Sequence, residues 1–588
     1  MQRYSPPLKE MRFALEAFDY EEKLGDFDEF EMYDLATTMA VLETVGNVSV
    51  DKLLPINRKG DEEGITFDPE DNSVTLPDGF HEAYQTFVEN GLIGLAGDPE
   101  FGGGGAPEAL GILASEIITA CNKSFSMAPG LTNGLVGALQ AHGSDEQKEK
   151  YLSKLIPGDW TGTMCLTEPQ SGTDLGLIST KAVPQDDGSY KLSGTKIWIT
   201  FGEHDLTDNI IHFVLARLPD APEGIRGISA FIVPKLLDDG SRNPVFCTGL
   251  EEKMGIHASP TCVMTLEEAE GYMVGTPNKG MRSMFTMMNL ARLHVGMEGV
   301  ALGEIAYQTA LEFAKERRQG RSLDKDKREE NEPADNILVH PDVRRMLLNI
   351  KSTTMALRAL GVWIGVEYEV SKHHEDEQVR QEADDIVALM TPIMKSYGSE
   401  RGFENISEAM QVCGGSGYTA DWDIEQYMRD ERIAMIYEGT NHIQALDLVG
   451  RKLAMKGGRL VMSFQKRVQQ TIEACSEHDE LQGLLQSFQK AAGRLMEATQ
   501  LMATNGREDQ EWAAAVASNY LNLFALVSLG YVWLNLAKHA VETDSSESAT
   551  KLKTARYFME MVLPETGLYA KLIKAGKESM MAFEDDEF

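Results

Sequence analysis

The feature that most constrains the fold is a change of periodicity along the chain. Between about residues 11 and 155, apolar side chains recur at three- and four-residue steps, which predicts helices. From about 162 to 275, short segments such as KLSGTKIWIT, NIIHFVLARL and GISAFIVPK are rich in β-branched and aromatic residues and are separated by Gly, Asp and Pro, which predicts strands. Helical periodicity then returns and continues to the end. The chain is therefore predicted to be mainly α-helical with a central β domain.

The length of 588 residues exceeds what one hydrophobic core usually supports. The periodicity predicts four domains: an N-terminal helical domain at 1–160, a central β domain at 161–276, a C-terminal helical bundle at 277–452 and an additional helical domain at 453–588. In the last of these, the apolar stretch 520–537 has the length of a membrane span. Polar residues and glycine interrupt it and no basic cluster flanks it, which favours a buried helix.

The charge balance excludes some classes of function. The formal net charge is −37, and a surface this acidic repels phosphate backbones and anionic lipid. We therefore expect neither nucleic-acid nor membrane binding. The six cysteines show no CxxC spacing and no histidine cluster has metal-ligand spacing, so no metal site is predicted. Scattered cysteines are typical of a reducing compartment, which predicts a cytoplasmic protein.

Two glycine clusters are ambiguous when taken alone. The run at 101–105 lacks a preceding strand and a GK[ST] ending, which favours a plain loop over a phosphate loop. The cluster at 414–417 lacks the spacing of a dinucleotide-binding fold. A glycine cluster beside a helix start would still allow a backbone to approach a pyrophosphate closely.

Four segments in order carry a family resemblance: MCLTEPQSGTD at 164–174, KIWIT at 196–200, QVCGGSGY at 411–418 and IYEGT at 436–440. Together they resemble the acyl-CoA dehydrogenase family over roughly residues 80 to 450. The segments YSPPLKEMRF and KMGIHASPTC and the long C-terminal block resemble the enlarged bacterial branch that includes 3-methylmercaptopropionyl-CoA dehydrogenase. The resemblance implies a helical domain, a β-barrel-like domain and a four-helix bundle, followed by an extra helical domain.

The resemblance also implies a catalytic base, Glu438. Dehydrogenation of a thioester removes a proton from the α-carbon while a hydride leaves the β-carbon, and a carboxylate suits the role of the base. In isolation, Glu438 resembles a carboxylate at the start of a helix, and only the ordered set of segments favours catalysis. The backbone N–H of Glu438 is implied as a donor to the thioester oxygen.

The implied cofactor is FAD, and the implied substrate is an acyl-CoA. Thr173 stands where the family more often has serine, and Asn289 stands where an acid commonly precedes the arginine at 292. Thr440 is expected to cap the helix that follows it. The resemblance places these residues at the cofactor: Leu166, Thr167, Thr173, Trp198, Thr200, Arg317, Gln411, Gly415 and Thr440. It places Arg292 and Gly439 on the substrate side.

The expected function is α,β-dehydrogenation of an acyl-CoA, with electrons passing to electron-transfer flavoprotein. The branch favours 3-methylmercaptopropionyl-CoA as substrate, in dimethylsulfoniopropionate breakdown. The alternatives are a straight-chain acyl-CoA dehydrogenase of fatty-acid β-oxidation, an acyl-CoA oxidase, and a non-catalytic acyl-CoA-binding scaffold. A homodimer is expected because the family's FAD site uses both subunits.

Overall fold

A computed structural model describes residues 3–588. The helices before the sheet are α1 (Leu8–Ala17), α2 (Tyr20–Leu24), α3 (Leu35–Lys52), α4 (Leu54–Glu63), α5 (Phe80–Glu89), α6 (Glu108–Cys121), α7 (Lys123–His142) and α8 (Asp145–Leu155). The strands are β1 (Thr66–Asp68), β2 (Ser73–Thr75), β3 (Thr161–Cys165), β4 (Lys181–Pro184), β5 (Tyr190–Thr200), β6 (Ile210–Arg217), β7 (Ile228–Pro234), β8 (Val245–Leu250) and β9 (Thr261–Val274).

The later helices are α9 (Gly280–Glu316), α10 (Pro341–His373), α11 (Glu377–Cys413), α12 (Ile424–Glu431), α13 (Asn441–Asp447), α14 (Arg459–Ser476), α15 (Gln482–Glu508), α16 (Gln510–Thr543), α17 (Ser548–Tyr557) and α18 (Thr566–Ala575). The chain forms two compact units. Within the described residues, one unit comprises 3–43, 107–116 and 295–588, and the other comprises 44–106 and 117–294. The prediction of a mainly helical chain with a central β domain is confirmed.

The larger sheet forms a closed circuit of pairings. Strand β6 pairs with β4 and with β7, and the circuit continues from β4 through β5 and β9 to β7. Strand β3 pairs in parallel with β6, and β8 pairs antiparallel with β9. Strand β6 is buried on both faces, since Phe213 packs in one apolar cluster and Val214 in another. A continuous apolar run is what a strand covered on both faces requires.

Long helices dominate the other unit. Helices α10 and α11 pack along each other, and the backbones of α9 and α11 approach closely at small residues. A side chain at Gly402 would put its Cβ 2.3 Å from the Cα of Gly299, so glycine is required there. Helix α16 is long and apolar enough to cross a membrane, but 89% of its apolar window is buried within the protein. The interrupted apolar stretch is therefore a core helix of the bundle.

Candidate functional site

Lys196 joins the segment after β3 to strand β5. Its side chain is fully buried, and Nζ donates to the carbonyl oxygen of Leu166 at 3.0 Å and to Oε1 of Glu168 at 2.8 Å. The backbone N–H of Ile197 donates to the carbonyl oxygen of Thr167 at 2.9 Å. Two segments recognised separately in the sequence, at 164–174 and 196–200, are therefore held together by a buried ion pair and a backbone bond.

The Glu168 carboxylate organises the residues that follow it. Oε1 accepts from Oγ1 of Thr180 at 2.6 Å, and Oε2 accepts from the backbone N–H of Ser179 at 2.6 Å. Burial by itself would raise the pKa of Glu168, but the Lys196 ammonium and these donors outweigh burial and lower the pKa to about 2. The carboxylate is therefore ionised at neutral pH, and it fixes both ends of the 168–180 loop.

Trp198 presents its indole at the surface of this unit. The pairing of β5 with β9 shifts register between Lys196 and Ile199, and Trp198 lies in this irregularity with φ of 66°. The residues on either side of the shift are buried, whereas Trp198 is 58% exposed. Thr200, at the end of the strand, pairs with Thr261 and is half-buried. A bulge re-aims a side chain, and here it leaves a flat apolar ring free to cover a ligand.

Thr173 lies in the exposed part of the same loop. Oγ of Ser171 donates to the carbonyl oxygen of Asp174 at 2.6 Å, and the Asp174 carboxylate accepts from the N–H of Gly176 at 3.0 Å. These bonds close a tight turn around Gly172 and Thr173, both of which are exposed. The Thr173 hydroxyl is thus presented on a turn whose shape is fixed by its neighbours. Leu166 is 8% exposed and offers mainly its backbone.

In the other unit, Glu438 and Gly439 form a left-handed pair, with φ of 55° and 83°. Nε2 of Gln444 donates to the carbonyl oxygens of both residues at 3.1 Å each. Oγ1 of Thr440 accepts from the N–H of Ile443 at 3.4 Å and caps α13, as the sequence predicts. A left-handed conformation costs roughly 1–2 kcal/mol for a residue with a side chain, and such strain is typical of functional positions. Gln444 offsets this cost.

Tyr437 fixes the same segment to α9. Its hydroxyl donates a short hydrogen bond to Oε2 of Glu298. Burial raises the pKa of Tyr437 well above its usual value, and the Glu298 carboxylate raises it further. The hydroxyl therefore remains a proton donor at all ordinary pH values. The backbone before Glu438 is held by Tyr437 and the backbone after it by Gln444.

Three further candidate residues lie at exposed positions of this unit. Arg317 follows α9, Gln411 is in the last turn of α11, and Gly415 follows that helix. The rings of Phe313 and Trp422 meet edge to face with centroids 5.0 Å apart, which brings the end of α9 next to the segment after the glycine cluster. A side chain at Gly415 would meet no atom of the described residues 3–588 within 4 Å. The three residues are therefore accessible to a ligand or to a second chain.

Arg292 is the least exposed of the candidate residues, since it lies within α9 and its exposed fraction is 5%. The sequence reasoning also missed supporting residues. The motifs contain Lys196 and Glu168, but the sequence analysis does not predict that they pair. Two opposite charges within apolar segments indicate such a buried ion pair. Gln444, which is fully buried, and Glu298 had no signal of their own.

Comparisons with known proteins identify the family of this chain. Family models of the acyl-CoA dehydrogenase N-terminal, middle and C-terminal domains match residues 37–159, 163–269 and 278–454, and an acetyl-CoA dehydrogenase C-terminal-like model matches 464–584. A 3-methylmercaptopropionyl-CoA dehydrogenase of Ruegeria pomeroyi is 41% identical over 581 residues, which cover 96% of each chain. The chain belongs to the acyl-CoA dehydrogenase family. It is accordingly an FAD-dependent oxidoreductase.

Two other acyl-CoA dehydrogenases are also similar to this chain. A broad-specificity linear acyl-CoA dehydrogenase of Mycobacterium tuberculosis is 34% identical, with 81% of this chain and 79% of the relative covered. The solved structure of an acyl-CoA dehydrogenase from Bacillus anthracis, complexed with FAD, superposes with a TM-score of 0.75 at 23% identity, covering 94% of this chain and 89% of that one. At this identity, the structural likeness establishes the shared fold.

Proposed function

We propose that this acyl-CoA dehydrogenase uses Glu438 to remove the α-proton of its thioester substrate. The observation that carries the proposal is the left-handed Glu438–Gly439 pair, held by two hydrogen bonds from Gln444. The chain maintains a strained backbone at the one carboxylate that the family motif marks as the base. Strain of this kind persists only where the surroundings enforce it.

The residues of the chain would divide the chemistry as follows. The Glu438 carboxylate accepts the α-proton, and its backbone N–H donates to the thioester oxygen as negative charge develops there. A donor at such an oxygen contributes about 2.7–4 kcal/mol to the transition state. Gly439 follows on the substrate side, and Arg292 is proposed for the coenzyme A nucleotide. FAD, when bound, accepts the hydride that leaves the β-carbon.

The residues present fit FAD. An exposed indole at Trp198 offers a flat face for the isoalloxazine ring, and Thr173 offers a hydroxyl on a fixed turn for the phosphates. Arg317 is exposed, and its fork suits a diphosphate. We therefore propose a homodimer in which exposed residues of a second copy complete the site. The proposed cofactor contacts are Leu166, Thr167, Thr173, Trp198, Thr200, Arg317, Gln411, Gly415 and Thr440.

The preferred substrate in this proposal is 3-methylmercaptopropionyl-CoA, supported by the relative that is 41% identical over 96% of each chain. A second candidate is a straight-chain acyl-CoA. It is supported by the linear acyl-CoA dehydrogenase described above and by a butyryl-CoA dehydrogenase of Syntrophomonas wolfei that is 35% identical. One methylene in an apolar pocket changes specificity by only about 1–3 kcal/mol, so one enzyme can accept both.

Electron-transfer flavoprotein is the proposed electron acceptor. A chain in a solved structure described as an electron-transferring flavoprotein of Acidaminococcus fermentans superposes with a TM-score of 0.58 at 25% identity, covering 71% of this chain and 98% of that one. All six cysteines are buried free thiols, which supports a proposed location in the reducing cytoplasm.

The test replaces Glu438 with glutamine. Glu438→Gln keeps the size of the side chain and removes the base, so turnover should fall about 10²–10⁴-fold while FAD absorbance is retained. Glu268→Gln is the matched control, because Glu268 is exposed and also has a left-handed backbone, with φ of 58°. Activity of Glu438→Gln within threefold of wild type would place the base elsewhere.

A panel of acyl-CoAs measured with a dye acceptor identifies the substrate. A tenfold higher kcat/KM for straight-chain thioesters than for 3-methylmercaptopropionyl-CoA would favour the second candidate. Peroxide formation at the rate of substrate loss, without any other acceptor, would indicate an oxidase instead.

A further inference from the structure

Arg217, the last residue of β6, ties two loops together through backbone carbonyls. Its Nε donates to the carbonyl oxygen of Ile178 at 2.8 Å, and Nη2 donates to that of Gly176 at 2.6 Å. On the other side, Nη2 donates to the carbonyl oxygen of Gly224 at 2.9 Å and Nη1 to that of Pro222 at 3.2 Å. Four hydrogen bonds from one guanidinium therefore join the loop at 174–178 to the loop at 222–227.

The two loops fit closely around this guanidinium. A Cβ added at Gly227 would lie 1.8 Å from the carbonyl oxygen of Pro222 and 2.8 Å from Nη1 of Arg217. A Cβ added at Gly176 would lie 2.9 Å from the Asp174 carboxylate. The backbone N–H of Arg217 also donates to the carbonyl oxygen of Thr180 at 2.9 Å. Arg217 thus also holds the first loop at its carboxyl end, next to the bonds that Glu168 accepts from Ser179 and Thr180.

The opposite end of the same segment is held differently. There, the Lys196 ammonium is neutralised by the Glu168 carboxylate. In the part of the chain that the structure describes, no carboxylate oxygen lies within 4.0 Å of the Arg217 guanidinium, whose partners are all carbonyls. The loop that carries the exposed Thr173 is therefore contacted by one neutralised cation, Lys196, and by one unneutralised cation, Arg217. In a chain of net charge −37, an unneutralised cation is a local source of attraction for anions.

We infer that Arg217 is a positioning residue for the diphosphate of FAD. It fixes the loop that presents Thr173, and its charge favours an anionic group beside that loop. The inference rests on the proposed contact between Thr173 and the FAD phosphates. It assigns to Arg217 no part in proton removal, so its effect is on cofactor affinity and not on the rate of the loaded enzyme.

The experiment measures binding of FAD and of riboflavin to protein stripped of flavin, by flavin fluorescence. Arg217→Ala should raise the Kd for FAD at least 30-fold, and Arg217→Lys, which keeps the charge but not the fork, should raise it less. The Kd for riboflavin, which lacks the diphosphate, should change less than threefold in both variants. Arg226→Ala is the matched control, since Arg226 is exposed in the same loop region, and it should change neither constant more than twofold. At saturating FAD, kcat of Arg217→Ala should return to at least half of the wild-type value.

A Kd for FAD within twofold of wild type in Arg217→Ala would overturn the inference. An equal loss of FAD and riboflavin affinity would also overturn it, because it would show a general structural role. If Arg217→Ala does not fold, Arg217→Lys decides by the same criteria. Failure of the wild-type protein to oxidise any acyl-CoA would refute the proposed function and leave these affinity differences intact.

Discussion

The buried pair of Lys196 and Glu168 leads to a quantitative prediction. Lys196→Met keeps most of the side-chain volume but removes the ammonium from Glu168 and from the carbonyl oxygen of Leu166. A buried carboxylate without its cation is strongly destabilising, at about 3–5 kcal/mol. The variant should therefore be less stable, and the segment at 164–174 should be held less firmly against β5.

The structure favours the lower end of that range. Donors from Gln170, Ser179 and Thr180 remain on the carboxylate after the substitution. The lowering of the pKa of Glu168 to about 2, to which these donors contribute together with Lys196, corresponds to about 3 kcal/mol in all. Burial lowers the pKa of Lys196, so part of the stabilisation of the carboxylate is offset by the cost of burying the ammonium. We expect a loss of about 3 kcal/mol, or about 6–12 °C for a domain of roughly 150–250 residues.

The assay follows flavin fluorescence during heating at pH 8 and at pH 5. In the wild type, the pKa of Glu168 is lowered, so its contribution is complete above about 4.5 and is lost only as pH falls toward about 2. In Lys196→Met, burial should dominate and raise the pKa of Glu168 above its unfolded value. The folded variant then binds a proton more readily than the unfolded chain as pH falls, so the deficit should be smaller at pH 5.

A second substitution, Glu168→Gln, tests whether the unpaired buried charge causes the loss of stability. Lys196→Met combined with Glu168→Gln removes the unpaired charge and should recover about half of the lost stability or more. If Lys196→Met shows the same deficit at both pH values, and Glu168→Gln recovers nothing, then the deficit comes from packing. The reasoning about the buried charge would then be wrong.

Two further predictions concern catalysis and acid stability. Gln444→Met removes the two hydrogen bonds to the carbonyl oxygens of Glu438 and Gly439, each worth about 1 kcal/mol, so kcat should fall by up to about 30-fold without loss of FAD. Gln470→Met is the control, because Gln470 is exposed, and it should leave kcat unchanged. An unchanged kcat in Gln444→Met would contradict the role assigned to Gln444. Burial lowers the pKa of His204 and of His212 to about 3, so below pH 6.5 the unfolded chain binds protons that the folded protein does not. The free energy of unfolding should therefore fall by up to about 1.4 kcal/mol per pH unit for each histidine as the pH decreases. His212→Gln should reduce this slope in thermal melts measured as a function of pH.

The layout of the fold was predictable because local patterns determine it. The continuous apolar run of β6 follows from burial on both faces, and the polar interruptions of α16 were enough to favour a core helix. In segments with strong periodicity, the type of element and its burial can be predicted from a few neighbouring residues. The same reasoning recovered the cap at Thr440, since capping depends only on the next three residues.

The supporting contacts of the candidate site were not predictable in this way. Trp198 and Glu438 have left-handed backbones although neither is glycine, and at Glu438 the bonds from Gln444 compensate the strain. Gln444 looks like any polar residue of a short helix until the chain folds back onto it. Arg217 ends a strand as many exposed arginines do, and its four acceptors come from loops without a sequence pattern.

The N-terminal helix α1 has a consequence for biosynthesis. Its Glu10 pairs with Lys551 of α17, 541 residues later, and the ring of Phe13 packs against His539 of α16 with centroids 4.9 Å apart. A ribosome adds about 5–20 residues per second, so the first helix waits roughly half a minute to two minutes for these partners. The part of α1 that packs against α16 is uncovered throughout that interval, when chaperones have access to it. Messages that end before the codons for α16 would therefore leave α1 without these contacts.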